Sequence, residues 1–393
     1  MRKKVKIMTN KKGAGIDKNA IVSLTKKFVS INTSNPPGKE ERLANVLERL
    51  FRQLGFKTQR IELIPGRANI IATLGEGKKT LIFIAHMDTV PAGEGWKNNP
   101  FSGIVIGNKI YGRGATDMKG CIASMVEAVA SLRREGWKPK GTLKFAFCVN
   151  EEMGDAEKIG MQAIIPRIGS PKDSLVVMGD TSDFKITVAE KGVLWLELIC
   201  YGREAHASMP WTAINALEKL NKVIYHLNQE KIEGEHKLLG KSTISTTVMN
   251  AGIKTNIIPG IAKAQLDIRI IPGKKKEEVI DIIKRVINRL KKEDRDINVE
   301  IKEIMYYPPV ESRAAPSTID MLKNIISSYG KEPVVIGEHG ATGAGFFVHA
   351  GFPTIVFGPG KPENCHIKDE YIEIDDLIKA TQIYREFIKK YLS

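Results

Sequence analysis

Between Thr80 and Ala85 the chain runs through a nearly unbroken apolar stretch, and His86-Met87-Asp88-Thr89-Val90-Pro91 follows at once. An apolar run that short reads as a strand buried on both faces, and such a strand needs layers packed above and below it. The same event recurs along the sequence. Leu143 to Val149 runs into Asn150-Glu151-Glu152, Leu175 to Met178 into Gly179-Asp180, and Thr354 to Phe357 into Gly358-Pro359-Gly360 and then His366. Gly112-Arg113-Gly114-Ala115-Thr116-Asp117 brings a further carboxylate to the start of a helix expected from Met118 to Glu135, where Ile122, Met125, Val126, Val129 and Leu132 share one face.

Around these strands the pattern is mixed. Leu43, Leu47, Leu50, Phe51 and Leu54 make Glu40 to Leu54 an amphipathic helix that Gly55 closes, and strands are expected at Thr58 to Ile64 and Asn69 to Leu74. From about 189 to 305 the order becomes strand Val193–Tyr201, helix Thr212–Asn228, strand Thr243–Met249, strand Ala262–Ile271, helix Lys276–Lys291, strand Ile297–Glu303. That βαββαβ order is the ferredoxin-like unit, one sheet with two helices on one face. A helix at Asp320 to Tyr329 and another at Ile374 to Tyr391 then return to the first pattern. The expectation is an α/β chain: a mixed-sheet domain with helices on both faces, built from residues 1–188 and 306–393, with an inserted βαββαβ ferredoxin-like domain at 189–305.

In an open α/β sheet ligands bind at the carboxyl ends of the strands, where this chain gathers two His, three Asp and two Glu. Residues two apart in an extended segment point the same way, so His86 and Asp88 can face one site. Carboxylates brought that close repel unless cations sit among them, and imidazole with carboxylate is what zinc or a similar divalent ion takes. A two-metal site needs a bridging carboxylate, and one member of a Glu-Glu pair can hold metal while its neighbour stays free as a base. A lone His after a strand is more often a packing residue; it is the recurrence at successive strand ends that turns the argument toward a site, because buried unpaired carboxylates cost several kcal/mol.

The motifs His86-Met87-Asp88-Thr89-Val90-Pro91, Gly112-Arg113-Gly114 to Asp117-Met118-Lys119-Gly120, Asn150-Glu151-Glu152, Gly202 to His206-Ala207-Ser208 with Pro210, Asn256-Ile257-Ile258-Pro259-Gly260, Asp267-Ile268-Arg269, and Cys365-His366 with Asp369-Glu370 run almost end to end. Together they resemble the M20 family of metallopeptidases and amidohydrolases, which includes acetylornithine deacetylase, succinyl-diaminopimelate desuccinylase, aminoacylase and the carboxypeptidase G2 type. The resemblance implies that Asp117 bridges two divalent ions, Zn2+ or else Co2+, with His86 and Asp180 on one and Glu152 and His366 on the other. It implies that Asp88 orients His86, that Glu151 is the general base, and that His206 stabilises the oxyanion, often across a dimer interface, with 1–188 and 306–393 as the catalytic domain and 189–305 as a lid or dimerisation domain. Asn256 and Arg269 become substrate contacts, and Gly340-Ala341-Thr342-Gly343-Ala344 resembles the family's substrate-carboxylate loop. The implied function is cleavage of the amide bond of an N-acyl amino acid or short peptide, of the desuccinylase or deacetylase type of amino-acid biosynthesis. A dipeptidase or carboxypeptidase is the alternative, and an inactive scaffold that only binds is the non-enzyme alternative. Asp180 departs from the Glu usual in the biosynthetic deacylases and is more typical of the family's dipeptidases, and Gly343 stands where Asp or Ser is usual.

Charge and composition trim the remaining classes. The net charge is +15, from 60 Lys and Arg against 45 Asp and Glu, but the basic residues are spread over helical surfaces and a short tail at residues 2 to 12, without the aromatic interleaving of a nucleic-acid surface. Nucleic acid and membrane are therefore not expected partners, since no apolar run is long enough to span a bilayer. The four cysteines are scattered, with no Cys-x-x-Cys pair, and Cys365 is expected to pack rather than bind metal. With no apolar segment of signal-peptide length near Met1, a cytoplasmic homodimer is expected. His226, His236, His339 and His349 match no ligand position.

Overall fold

The computed structural model describes residues 15–154 and 158–393, so the basic tail at 2–12 lies outside the described residues. The chain divides into two compact units, one of residues up to 188 with 312–336 and 342–393, the other of 189–311 with 337–341. Where the sequence reading ends the insertion at 305, the compact unit continues through the Val299–Tyr307 strand and on to Glu311.

The first unit is built on a mixed sheet. Its strands lie in the order Lys57–Ile64, Arg67–Leu74, Thr142–Cys148, Thr80–His86, Ser174–Met178, Thr354–Val356 and Ile186–Glu190. Thr142–Cys148, Thr80–His86, Ser174–Met178 and Thr354–Val356 are parallel to one another, and the outer strands are antiparallel. Burial on both faces explains their unbroken apolar runs: Leu81, Phe83 and Ala85 join one core with Leu143, Phe145 and Phe147, while Ile82, Ile84, Ala146 and Val176 are equally buried on the other side. The first face carries the helices Glu41–Gln53, Gly120–Arg134, Pro316–Ser328 and Ile374–Tyr391, with Phe83 stacked on Phe145 and edge-on to Tyr384. The short helices Met161–Ile164 and Ala344–His349 contact strands Thr142–Cys148 and Thr354–Val356. The fold is thus the mixed α/β sheet with helices that the sequence predicts.

The second unit pairs Thr243–Ala251, Ile261–Ile270, Gly192–Tyr201 and Val299–Tyr307, in that order and antiparallel throughout. Alternation divides its faces. Leu194, Leu196, Leu198 and Cys200 pack with Ala262, Ala264, Leu266 and Ile268 against helices Ala216–Leu227 and Lys276–Glu293. The first of these helices begins at Ala216 rather than Thr212, because Asn215 caps it by accepting the Leu217 N–H at 3.1 Å. Likewise the helix expected from Met118 begins at Gly120, since Asp117 and Met118 have extended or irregular backbone. Among the described residues no helix is long and apolar enough to cross a membrane.

Candidate metal centre

Parallel register brings the acidic strand ends level. His86 pairs with Cys148, and Ile84 and Val356 both pair with Met178, so the residues just beyond each strand emerge together. His86 is 1 % exposed, and its Nδ1 lies 3.0 Å from the Asp88 carbonyl oxygen. A carbonyl only accepts, so Nδ1 carries a proton and Nε2 is the nitrogen turned to the site. Asp88 does more than orient the ring. Its carboxylate lies 3.6 Å from Nδ1 and accepts the N–H groups of Glu151 at 3.1 Å and Glu152 at 3.2 Å, fixing the turn that carries both glutamates.

Asp117 sits between two imidazoles. Its Oδ1 is 2.9 Å from His86 Nε2 and its Oδ2 is 3.1 Å from His366 Nε2. His366 Nε2 is also 3.2 Å from Glu152 Oε2, while Glu152 Oε1 accepts the Val90 N–H at 3.2 Å. Asp180 is buried at the end of its strand, its Oδ1 accepting the Thr181 N–H at 2.7 Å. Gly358 makes that turn feasible, because a Cβ there would lie 2.4 Å from the Asp180 carbonyl oxygen.

The electrostatics follow from burial. Burial holds Glu151 well above the usual carboxylate range, opposed by His86 and reinforced by the charges of Glu152, Asp180 and Asp117. Burial and Asp117 likewise push Glu152 up to about 7 and Asp180 up to about 6. Asp117 goes the other way: burial opposes its charge, but hydrogen bonds with His366 and His86 outweigh it and hold the carboxyl well below the usual range. The hydrogen bonds of Asp117 and Glu152 raise His366 to about 10. Such a cluster suits a divalent ion. His86, Asp117 and Glu152 each offer a ligand atom, and these atoms lie within 4.8 Å of one another.

The profile of peptidase family M20/M25/M40 matches residues 82–390, which contain every one of these side chains. The chain belongs to that family. A probable succinyl-diaminopimelate desuccinylase of Staphylococcus aureus is 26% identical, over 94% of this chain and 97% of its own length. An uncharacterized metallohydrolase of Methanococcus maripaludis is 30% identical, over 94% and 98%. Among solved structures, an M20 family metallo-carboxypeptidase of Sulfolobus solfataricus superposes with a TM-score of 0.80 at 22% identity, covering 94% of this chain and 99% of its own. This M20 chain is therefore an enzyme acting on amide bonds, and His86, Asp117 and Glu152 form its candidate metal site.

The remaining predicted residues of this M20 chain belong mostly to the second unit. His206 is exposed in a two-residue ribbon in which Ala205 and His206 pair with Ile258 and Ile257, and the Asn256 carbonyl accepts the Ala207 N–H at 3.0 Å. His206 and Asn256 are therefore neighbours. The Ser208 N–H donates to His206 Nδ1 at 3.2 Å, which makes Nδ1 an acceptor and leaves the proton of the neutral ring on Nε2. Arg269 is already engaged: Asp267, two residues back on the same strand face, takes its Nε at 2.6 Å and Nη2 at 3.0 Å, and Trp195 Nε1 donates to Asp267 at 3.0 Å. One edge of the fork is spent, and Nη1 is 3.4 Å from the His339 carbonyl. In the glycine-rich segment the Glu338 carboxylate accepts the N–H groups of His339 at 3.0 Å and Gly340 at 3.5 Å, so these amides hold an anion from their own chain. Thr342 Oγ1 accepts the Ala344 N–H at 3.2 Å in the first unit.

The sequence does not mark the residues that stand behind the candidate ligands. Asn35 Nδ2 donates to Asp88 at 2.9 Å and to Asn150 Oδ1 at 3.0 Å, and Arg67 donates to the same Asn150 oxygen at 2.9 Å while pairing with the fully buried Glu40. Nothing local marks Asn35, in an Asn-Pro-Pro turn, as part of a site.

Proposed function

We propose that the protein is a dinuclear hydrolase that cleaves the amide bond of N-acyl amino acids, of the succinyl-diaminopimelate desuccinylase or acetylornithine deacetylase type. The observation that carries this reading is the Asp117 carboxylate, whose two oxygens each face a different imidazole, with the Glu151-Glu152 turn beside it. Asp117 would bridge two Zn2+ ions, or Co2+ in their place, with His86 and Asp180 on one side and Glu152 and His366 on the other. When bound, the ions polarise the scissile carbonyl and acidify a water. Glu151 would take the proton of the water as its oxygen adds to the amide carbon, and would pass it to the amine nitrogen as the C–N bond breaks. His206 serves as oxyanion donor, a role its Nε2 proton supports. Asn256, the free edge of Arg269, Gly340 and Thr342 contact the substrate.

The desuccinylase name of the Staphylococcus aureus relative supports the substrate class. A second reading, a dipeptidase or carboxypeptidase with the same site, is favoured by Asp180, the residue more typical of the family's dipeptidases. The proposal includes a cytoplasmic homodimer serving amino-acid biosynthesis. Four free cysteines, three of them buried, speak for a reducing compartment. The outer strand Thr243–Ala251 leaves one edge of its sheet open, with Val248 and Met249 exposed and no charged residue to guard it, which suits pairing with a second copy.

The test is hydrolysis by zinc- or cobalt-loaded protein of N-succinyl-diaminopimelate, N-acetylornithine, other N-acyl amino acids and dipeptides, with chelated protein and Glu151→Ala as controls. Cleavage of one acyl amino acid, lost in both controls, is expected. Cleavage of dipeptides alone would move the protein to the peptidase reading, and no turnover of any amide by metal-loaded protein would overturn the proposal.

A further inference from the structure

Arg113 and Glu370 stand beside the candidate ligands Asp117 and His366. Arg113 precedes Asp117 by four positions and Glu370 follows His366 by four, and they meet because Tyr111 pairs with Tyr371 and Ile110 with Ile372 in a short antiparallel ladder. Both side chains are buried, Arg113 at 3 % exposure and Glu370 at 0 %.

Each end of this pair grips a ligand-bearing segment. Glu370 Oε2 accepts Arg113 Nη1 at 2.7 Å, while Glu370 Oε1 accepts the N–H groups of Thr116 at 2.9 Å and Asp117 at 3.2 Å. Arg113 Nη2 in turn lies 3.5 Å from the His366 carbonyl and 3.3 Å from that of Ala92. The guanidinium is backed by the Trp96 ring, 5.1 Å from centroid to Cζ, which limits its swing. His366 itself stands at φ +62°, a left-handed conformation that a non-glycine residue keeps only when its surroundings enforce it. The chain Asp117 N–H, Glu370, Arg113, His366 carbonyl thus ties the bridging carboxylate to the imidazole that faces its second oxygen.

We infer that Arg113 and Glu370 are positioning residues that set the geometry of the metal pair by fixing Asp117 against His366, an inference that rests on the dinuclear reading above. Neither side chain is a ligand; their effect is read through the backbone of two ligands. Removing one partner alone leaves the other charge buried and unpaired, which destabilises the fold. The decisive variant is therefore the double change Arg113→Met/Glu370→Met, which leaves no buried charge behind.

The experiment is Co2+ binding to the full chain, with affinity from chelator competition, visible absorption of the bound ion, and circular dichroism as a control for folding. Wild type is expected to bind two Co2+ per chain. Glu370→Gln should weaken binding about 10- to 100-fold and alter the Co2+ bands. Arg113→Lys, which keeps the charge but offers no fork, should fall between wild type and Arg113→Met. The folded double variant should stay weak in affinity and altered in spectrum even where its stability recovers. Wild-type affinity and bands in folded Glu370→Gln, or their return in the double variant, would overturn the inference while leaving the dinuclear reading intact. A wild-type protein that takes up no Co2+ would overturn that reading and this inference with it.

Discussion

Asn35 offers the sharpest test of how the Glu151-Glu152 turn is held. Its Nδ2 donates to Asp88 Oδ2 at 2.9 Å and to Asn150 Oδ1 at 3.0 Å, and the residue is 4 % exposed. Asn35→Ala removes both donors without orphaning either acceptor, because Asp88 keeps the N–H groups of Glu151 and Glu152 and Asn150 keeps Arg67. The loss is then one bond to a charged group, about 1.5–3 kcal/mol, and one neutral bond, about 0.5–1.5 kcal/mol, or about 2–4.5 kcal/mol together. Asn35→Asp keeps the shape but turns an acceptor toward the Asp88 carboxylate and the Asn150 oxygen. The introduced carboxyl is buried beside a like charge, so its pKa in the folded protein rises above the unfolded value of about 3.9. Folding then takes up a proton, and the penalty is fully present at neutral pH and relieved as pH falls toward that unfolded value. Despite being isosteric, Asn35→Asp should therefore be less stable than Asn35→Ala by about 1 kcal/mol or more at pH 7.5, with the gap closing at pH 5. Urea unfolding of chelated protein at the two pH values measures this without the added stabilisation of bound metal. If Asn35→Asp matched or exceeded Asn35→Ala in stability at pH 7.5, the residue would be filling space rather than donating, and the reasoning would fail.

Four further outcomes are expected. Asp117 and Glu152 hold His366 up to about 10, and burial holds Glu152 up to about 7, so metal uptake near pH 7 displaces protons and apparent affinity rises from pH 6 to 8; calorimetry in two buffers of different ionisation enthalpy should give unequal heats. Glu151→Gln should keep its metal but lose about 10²- to 10⁴-fold in kcat, checked by metal content beside steady-state rates. Gly38→Ala should cost about 1–3 kcal/mol for its backbone at φ +75° and more besides, because the new Cβ would stand 2.3 Å from an Arg67 guanidinium that cannot retreat without leaving Glu40; thermal unfolding reads the loss. Chelation should lower the melting temperature while far-UV circular dichroism at 25 °C stays that of the loaded protein.

The fold was legible where burial is two-sided. Thr80–His86 and Ser174–Met178 announce themselves as apolar runs because neither face meets water, and the candidate ligands His86 and Asp180 stand at the end of the first and two residues beyond the second. Helix Lys18–Val29 escaped notice although Ile21, Leu24 and Phe28 are buried at helical spacing, since lysines interrupt the run and only its Asp17 cap marks the start. The candidate site residues stand out in the sequence and the residues that brace them do not, for a physical reason. His86, Glu152 and Asp180 follow their strands directly, whereas Asn35 reaches Asp88 only through the pairing of Ser34 with Thr89, and Arg67 reaches Asn150 across 83 residues. Arg269 shows the converse limit. Period-two alternation already puts Asp267 on its face, yet that the aspartate occupies the fork depends on Trp195, brought in by a neighbouring strand.

The supports also explain how so much negative charge can gather on one sheet edge before any metal binds. Each buried carboxylate is met by donors that the backbone or a distant side chain supplies: Asp88 by Asn35 and two N–H groups, Asp180 by the Thr181 N–H, Glu370 by Arg113 and two N–H groups, and Glu40 by a bidentate Arg67. Among the described residues the Asp117 carboxylate is met by the two imidazoles, and these are the groups whose protons a cation would displace. Satisfaction is therefore graded. Asp88, Glu370 and Glu40 have donors that stay and hold the turns in place, while Asp117 and Glu152 face imidazoles that can be exchanged for a metal. A cation entering there would displace the imidazole protons, so metal binding and proton release are coupled at the inner acids.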